Sequence, residues 1–236
     1  MRCGMHLVAA LLVLSACGAS PSAQPSGLGI IGEDGTALWA SLAPGSYATT
    51  RFRPRLSFAV QEGWSGIDSD SSLGLTRDDG YWSLFSIYRY AGSVTVDRCS
   101  TPERVEKREG LNELIEWVLA HEGLDIIEGE PTTIGGYPAR VIDIAFAGGQ
   151  RCPDDKVVNG VAHSVAILWE REPLGVDERL RAVFVDHPDG ALIITLRTLP
   201  AAIAPPEFQE KLIALEDFIE LARPVMESIE FEPASN

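Results

Sequence analysis

Leu180-Arg181-Ala182-Val183-Phe184-Val185-Asp186, then His187-Pro188-Asp189-Gly190, then Ala191-Leu192-Ile193-Ile194-Thr195-Leu196-Arg197-Thr198, decides how the chain reads. Two runs rich in β-branched and apolar residues flank a Pro-Asp-Gly turn. Proline presets φ, aspartate bonds to its own backbone, and glycine accepts the positive φ that closes such turns. The stretch is therefore a β-hairpin, and a hairpin commits its neighbours to antiparallel pairing.

The same reading extends in both directions. On the N-terminal side, Tyr47–Arg53 and Leu56–Val60 are short strands separated by Pro54, Glu62-Gly63-Trp64 is a turn with a buried aromatic, and Asp79-Gly80 precedes a central strand at Tyr81–Tyr90. Toward the middle, Gly135-Gly136-Tyr137-Pro138 joins Glu130–Ile134 to Ala139–Phe146. Val161–Trp169 alternates at period two, with Val161, His163, Val165, Ile167 and Trp169 on one face. Ile30–Leu42, which contains Trp39, is ambiguous; one reading is a short helix from Thr36.

Two segments switch to helical spacing. Thr101-Pro102-Glu103 has the marks of a helix start: a capping hydroxyl, proline at the first position and acid in the first turn. Leu111, Leu114, Ile115, Val118 and Leu119 then form an apolar stripe that Gly123 ends. Phe208–Ser228 carries a second stripe at Phe218, Leu221, Val225 and Ile229, with Pro224 inside it. The order is strands, helix, strands, helix. The expected fold class is α+β, an antiparallel β-sheet with helices packed on its faces.

The N-terminus places the chain. Met1–Ala16 has a charged start at Arg2, an apolar core from Leu7 to Leu14 and small residues before Cys17. The apolar core falls short of the ~20 residues that span a bilayer. Leu14-Ser15-Ala16-Cys17 resembles the lipobox of bacterial lipoproteins. That resemblance implies cleavage before Cys17, acylation of its thiol and an extracytoplasmic, lipid-anchored domain at the cell membrane. Stable anchoring takes more than one acyl chain. The expected division is a lipoprotein signal peptide at 1–16, a flexible tether at 17–29 and a single globular domain at 30–236, its core about 47–231.

Net charge is −15, and loss of Arg2 with the leader makes the mature chain −16. A surface of that sign repels phosphate backbones and excludes nucleic acid as a partner. Of four cysteines, Cys3 leaves with the leader and Cys17 takes lipid, so Cys99 and Cys152 remain. A lone pair in an exported compartment is expected to form a disulfide.

Catalytic motifs are missing: there is no G-x-S-x-G, no S-x-x-K and no Cys-His signature. His121 falls at a helix end, where a cation suits the dipole. His187 occupies a turn, and His163 lies on an apolar strand face. Asp68-x-Asp70-x-Ser72 resembles a calcium-loop fragment, but Leu73 stands where glycine is needed and Asp79 where glutamate closes the loop. It reads as a turn. No metal site and no cofactor are expected. Trp82, Tyr88 and Tyr90 share one face of one strand, and Trp169 joins them as a candidate. They read either as core under a helix or as a pocket for a lipid tail or sugar ring.

Leu42-Ala43-Pro44-Gly45-Ser46-Tyr47, Phe52-Arg53-Pro54 and Gly63-Trp64 resemble the opening of exported actinobacterial-type lipoproteins. Ile134-Gly135-Gly136-Tyr137-Pro138-Ala139 and Val225-Met226-Glu227-Ser228-Ile229-Glu230-Phe231 are similar to PsbP-like and LpqN-type domains. The resemblance implies an α/β/α sandwich in a binding or accessory role rather than a catalytic one. The expected function is that of a membrane-tethered, non-catalytic binding or accessory domain with a lipid, glycan or envelope-protein partner. An exported hydrolase with a dispersed site and a purely structural envelope protein are the alternatives.

Overall fold

The structure, a computed structural model, describes residues 26–28, 30–31, 37–77, 80–97, 104–147, 157–158, 161–162, 166–167, 173–174, 178–198, 210 and 212–233. In chain order the main elements are β1 (Ser26–Leu28), β2 (Ala40–Leu42), β3 (Gly45–Thr49), β4 (Leu56–Val60), β5 (Trp64–Asp68), β6 (Ser72–Arg77) and β7 (Gly80–Arg89). They are followed by α1 (Leu111–Leu119), β8 (Leu124–Glu128), β9 (Thr132–Ile134), β10 (Tyr137–Phe146), β11 (Arg179–Val185), β12 (Leu192–Thr198), α2 (Leu215–Glu227) and β13 (Glu230–Phe231). Among the described residues the protein is α+β, mostly antiparallel sheet with two helices.

The hairpin read first from the sequence is β11–β12, paired from Leu180↔Arg197 to Val185↔Leu192. It lies inside a nine-stranded sheet of order β8-β10-β11-β12-β7-β6-β5-β2, with β9 also on β10. A smaller sheet of order β1-β3-β4-β13 brings the C-terminal strand back onto β4. Parallel pairing occurs between β1 and β3, so Ser26–Leu28, inside the stretch expected to be tether, is tied to the domain. Trp39–Leu42 is extended rather than helical, because Ala40–Leu42 pairs with Gly66–Trp64 of β5.

Side chains of the central strands alternate between two apolar clusters, as the two-residue period of a strand requires. Val183, Val185, Ile194, Leu196, Phe85 and Ile87 pack with Phe218, Ala222 and Val225 of α2. Leu180, Ala182, Phe184 and Ile193 pack with Leu114, Ile115 and Val118 of α1. Trp64 and Phe218, both fully buried, meet at 6.0 Å between ring centroids.

Three expectations change. First, α1 begins at Leu111 and not at Thr101, because Arg104–Lys107 pairs with Ser93–Asp97 as a hairpin. Gly110 caps the helix without a side-chain bond, and Glu113 reaches back to accept from the Glu109 N–H at 3.2 Å. The helix stops at a C-cap on Ala120, before Gly123. Second, α2 begins at Leu215 and buries Leu215, Phe218, Ile219, Ala222 and Val225. Leu221 is 43% exposed, one position off that stripe. Third, Leu124–Glu128 forms a strand on β10 that the sequence reading passed over. Within Val161–Trp169 the described residues are Val161–Ala162, paired with Val157–Val158, and Ala166–Ile167, paired with Pro173–Leu174; the rest of that run lies outside the described residues.

Candidate functional site: an arginine-lined cleft

Within the Asp68–Ser72 fragment, read as a turn, the two aspartates have separate jobs. Asp68 ends β5 and is 2% exposed. Its Oδ2 accepts from the Thr50 and Arg51 N–H groups, the latter at 2.9 Å, and from Thr50 Oγ1 at 3.0 Å. Its Oδ1 accepts from the Phe52 N–H at 2.9 Å. One buried carboxylate thus accepts from three successive backbone donors between β3 and β4. Asp70 lies outside this arrangement and takes the Arg51 guanidinium in a two-pronged pair at 3.0 and 3.1 Å. Arg51 in turn holds the exposed Asp70 carboxyl below its ordinary pKa.

The corner fixed by Asp68 runs directly into Arg53-Pro54-Arg55, whose Arg53–Pro54 peptide is cis. Arg53 Nη1 folds back to donate to the carbonyls of Thr50 at 3.0 Å, Arg51 at 3.3 Å and Phe52 at 3.0 Å. Arg55 stands beside Glu232, 3.9 Å away, and its carbonyl accepts from the Glu232 N–H at 2.9 Å. Across the gap, Arg89 at the end of β7 donates to the Asp189 carbonyl at 3.3 Å. Arg53, Pro54, Arg55, Arg89, Asp189, Glu232 and Pro233 wall a cleft of about 520 Å³.

Close in sequence to two of its walls, Asp189 and Glu232, lies an aromatic clasp. His187 of the β11–β12 turn is 3% exposed, held 4.5 Å from Tyr137 and 4.8 Å from Phe231 between ring centroids. Tyr137 meets Phe231 edge-on at 5.5 Å. The clasp thus ties the hairpin turn, the Gly135-Gly136 turn and the C-terminal strand together. Gly135 (φ +55°) and Gly136 (φ +85°) form the two-residue turn between Ile134 and Tyr137, where both central residues need positive φ. A Cβ on Gly135 would lie 2.4 Å from the Phe231 ring. His187 occupies the turn, as read from the sequence, and is buried there. Its Nδ1 accepts from the Asp189 N–H at 3.1 Å, and burial lowers its pKa. Asp186 beside it is exposed, so the two form no dyad.

His121 also departs from expectation. It is half-buried, edge-on to Trp117 at 5.1 Å, with Nδ1 accepting from the Gly123 N–H at 3.1 Å. Burial lowers its pKa. It sits as a neutral imidazole and not as a cation at the helix terminus.

Tyr88 and Tyr90 are half-buried and pack against the cluster under α1. Trp82 lies on the backbone of β7, and its side chain is outside the described residues, as are Trp169, His163, Cys17, Cys99 and Cys152. A second groove, about 380 Å³, is lined by Gly129–Ile134 and residues of α2, with Arg181 and Arg223 among its walls.

The cleft was not foreseen from the sequence. Its one local signal is the Arg53-Pro54-Arg55 run, two cations around a proline in a strongly acidic chain. Arg89, Asp189 and Glu232 join it only through the fold.

No family model matches the chain, and no curated protein matches its sequence. Among solved structures, the chain is similar to the apo immunity protein TplEi of a T6SS from Pseudomonas aeruginosa. Identity is 13% and the TM-score 0.34, over 75% of this chain and 46% of that one, so this chain spans less than half of that protein's length. It is also similar to the cyanobacterial PsbP protein (CyanoP) from Synechocystis, with 11% identity and a TM-score of 0.37, over 87% of this chain and 99% of that one. At this distance neither carries an activity or a ligand across.

Proposed function

We propose that the chain is an extracytoplasmic lipoprotein, tethered by acyl chains on Cys17, whose domain is a non-catalytic binding or accessory module. The domain is an α/β/α sandwich of PsbP-like type with its core at about 47–231, and Cys99–Cys152 is its disulfide. The observation that carries the binding role is the arginine-lined cleft. Among the described residues its walls hold three guanidinium groups and no hydroxyl, thiol or imidazole nucleophile, and a cradle of cations suits holding a ligand more than transforming one. Both sheet faces are occupied by apolar clusters, which leaves recognition to the rim.

The tether is tested by expressing the full chain and a Cys17→Ala variant in a bacterial host fed labelled palmitate. The expected result is label on the full chain, which stays in the membrane pellet through a high-salt wash, and an unlabelled variant that leaves it. Label-free protein, or retention of the variant, overturns the tether.

A further inference from the structure

The charge of the cleft runs against the charge of the chain. Acidic residues outnumber basic ones 34 to 19, yet three arginines converge on one opening at the rim. Two of them are held by neutral groups. Arg53 Nη1 is oriented by the carbonyls of Thr50, Arg51 and Phe52, and Arg89 Nη2 by the carbonyl of Asp189. Carbonyls fix the plane of a guanidinium without cancelling its charge. Among the described residues neither has a carboxylate within ion-pair distance. The third, Arg55, faces Glu232 at 3.9 Å, with both side chains about half exposed. Such a long, solvated pair contributes little and opens readily to a better acceptor.

The surroundings are rigid where the cations are mounted. The Arg53 side begins at the buried Asp68 carboxylate, and the Asp189 side is pinned through the His187 clasp. Preorganised donors lose little entropy on binding. Guanidinium forks match the tetrahedral oxygens of phosphate in paired hydrogen bonds. The volume of about 520 Å³ exceeds what a bare ion fills and suits a phosphate carried on a small molecule. Asp189 and Glu232 add acceptors for hydroxyl groups on that molecule.

We propose that the cleft formed by Arg53, Arg55, Arg89, Asp189 and Glu232 binds the phosphate group of a phosphate ester. This rests on the binding-module reading above and names its ligand class.

The test titrates the full Cys17→Ser chain with inorganic phosphate by calorimetry at constant ionic strength, beside an Arg53→Gln/Arg89→Gln variant and with acetate as comparison anion. The expected result is one phosphate site in the wild-type cleft, weakened about tenfold or more in the variant, as loss of charge-assisted bonds implies. Circular dichroism establishes that the variant keeps its fold; should it not, Arg89→Gln alone serves. Sedimentation with phosphatidylglycerol vesicles separates the sources. Vesicle binding lost in the variant assigns the phosphate to a lipid headgroup, and phosphate binding without vesicle binding assigns it to a soluble ester. No phosphate binding, equal binding by the variant, or equal binding of acetate overturns the proposal. None of these outcomes touches the tether, which stands or falls on acylation of Cys17.

Discussion

Asp68→Asn replaces two acceptor oxygens by one and removes a buried charge. In the native chain Oδ2 takes three donors and Oδ1 takes the Phe52 N–H. The amide loses least with its oxygen in the Oδ2 place, which points its NH2 at the Phe52 N–H. Phe52 is fully buried, so water cannot replace the lost acceptor. An unpaired buried donor that had bonded a charged group costs about 1.5–3 kcal/mol. The three surviving bonds change from charge-assisted to neutral and weaken by roughly half. Together the substitution costs about 3–5 kcal/mol, a fall of roughly 6–20 °C in Tm for a domain of this size. Urea unfolding followed by tryptophan fluorescence reads it directly, because Trp64 begins the strand that Asp68 ends and is fully buried. Asp70→Asn is the control: it removes an exposed partner of Arg51 and leaves the midpoint close to wild type. A loss under about 1 kcal/mol for Asp68→Asn, or one equal to the control, would refute the view that this carboxylate holds the corner.

Gly135→Ala places a Cβ against the Phe231 ring at a positive φ, so it should cost about 3 kcal/mol and free the C-terminal strand to proteolysis; a melt within a degree of wild type contradicts the clasp. Thr195→Val should stabilise by about 1 kcal/mol, since Thr195 is 1% exposed and its hydroxyl has no hydrogen-bond partner among the described residues; a destabilised variant in thermal unfolding counters this. Leu221→Glu should stay within about 0.5 kcal/mol of wild type because the side chain faces solvent, and a larger loss would restore it to the core stripe. His121 and His187 both have folded pKa values below the unfolded 6.5. The unfolded state therefore binds more protons as pH falls below about 6.5. Their contribution is complete above that pH and is lost on acidification, so the urea midpoint should fall from pH 6.5 to 5 and fall less in His187→Gln; an equal fall in the variant excludes His187.

What local pattern encodes, the sequence shows. The β11–β12 hairpin follows from Pro-Asp-Gly between apolar runs, and β4 spans Leu56–Val60, the short run read after Pro54. The α1 stripe at Leu114, Ile115 and Val118 is buried as its spacing predicts. What depends on distant partners stays hidden. Thr101-Pro102-Glu103 carries every local mark of a helix start, but the following residues are claimed by pairing with Ser93–Asp97. The Asp68 fragment resembles a metal loop because carboxylates at that spacing are shared by many turns. Only the return of Thr50–Phe52 across β5 shows which donors it serves. Leu221 fits a stripe drawn through Phe218 and Val225, yet the helix turns its buried side toward Leu215, Ile219 and Ala222. The cleft is the extreme case, with residues from 53 to 233 brought together by two turns and the C-terminal strand.

The most direct measurement is the intact mass of the protein extracted from its native membranes, taken first under native conditions and then denatured without reduction. The account predicts a chain beginning at Cys17 with acyl mass added, two hydrogens missing for Cys99–Cys152, and a phosphate-bearing adduct that denaturation releases. An unacylated chain beginning elsewhere, or an acylated one that carries nothing when native, would contradict a tethered module built to hold a ligand.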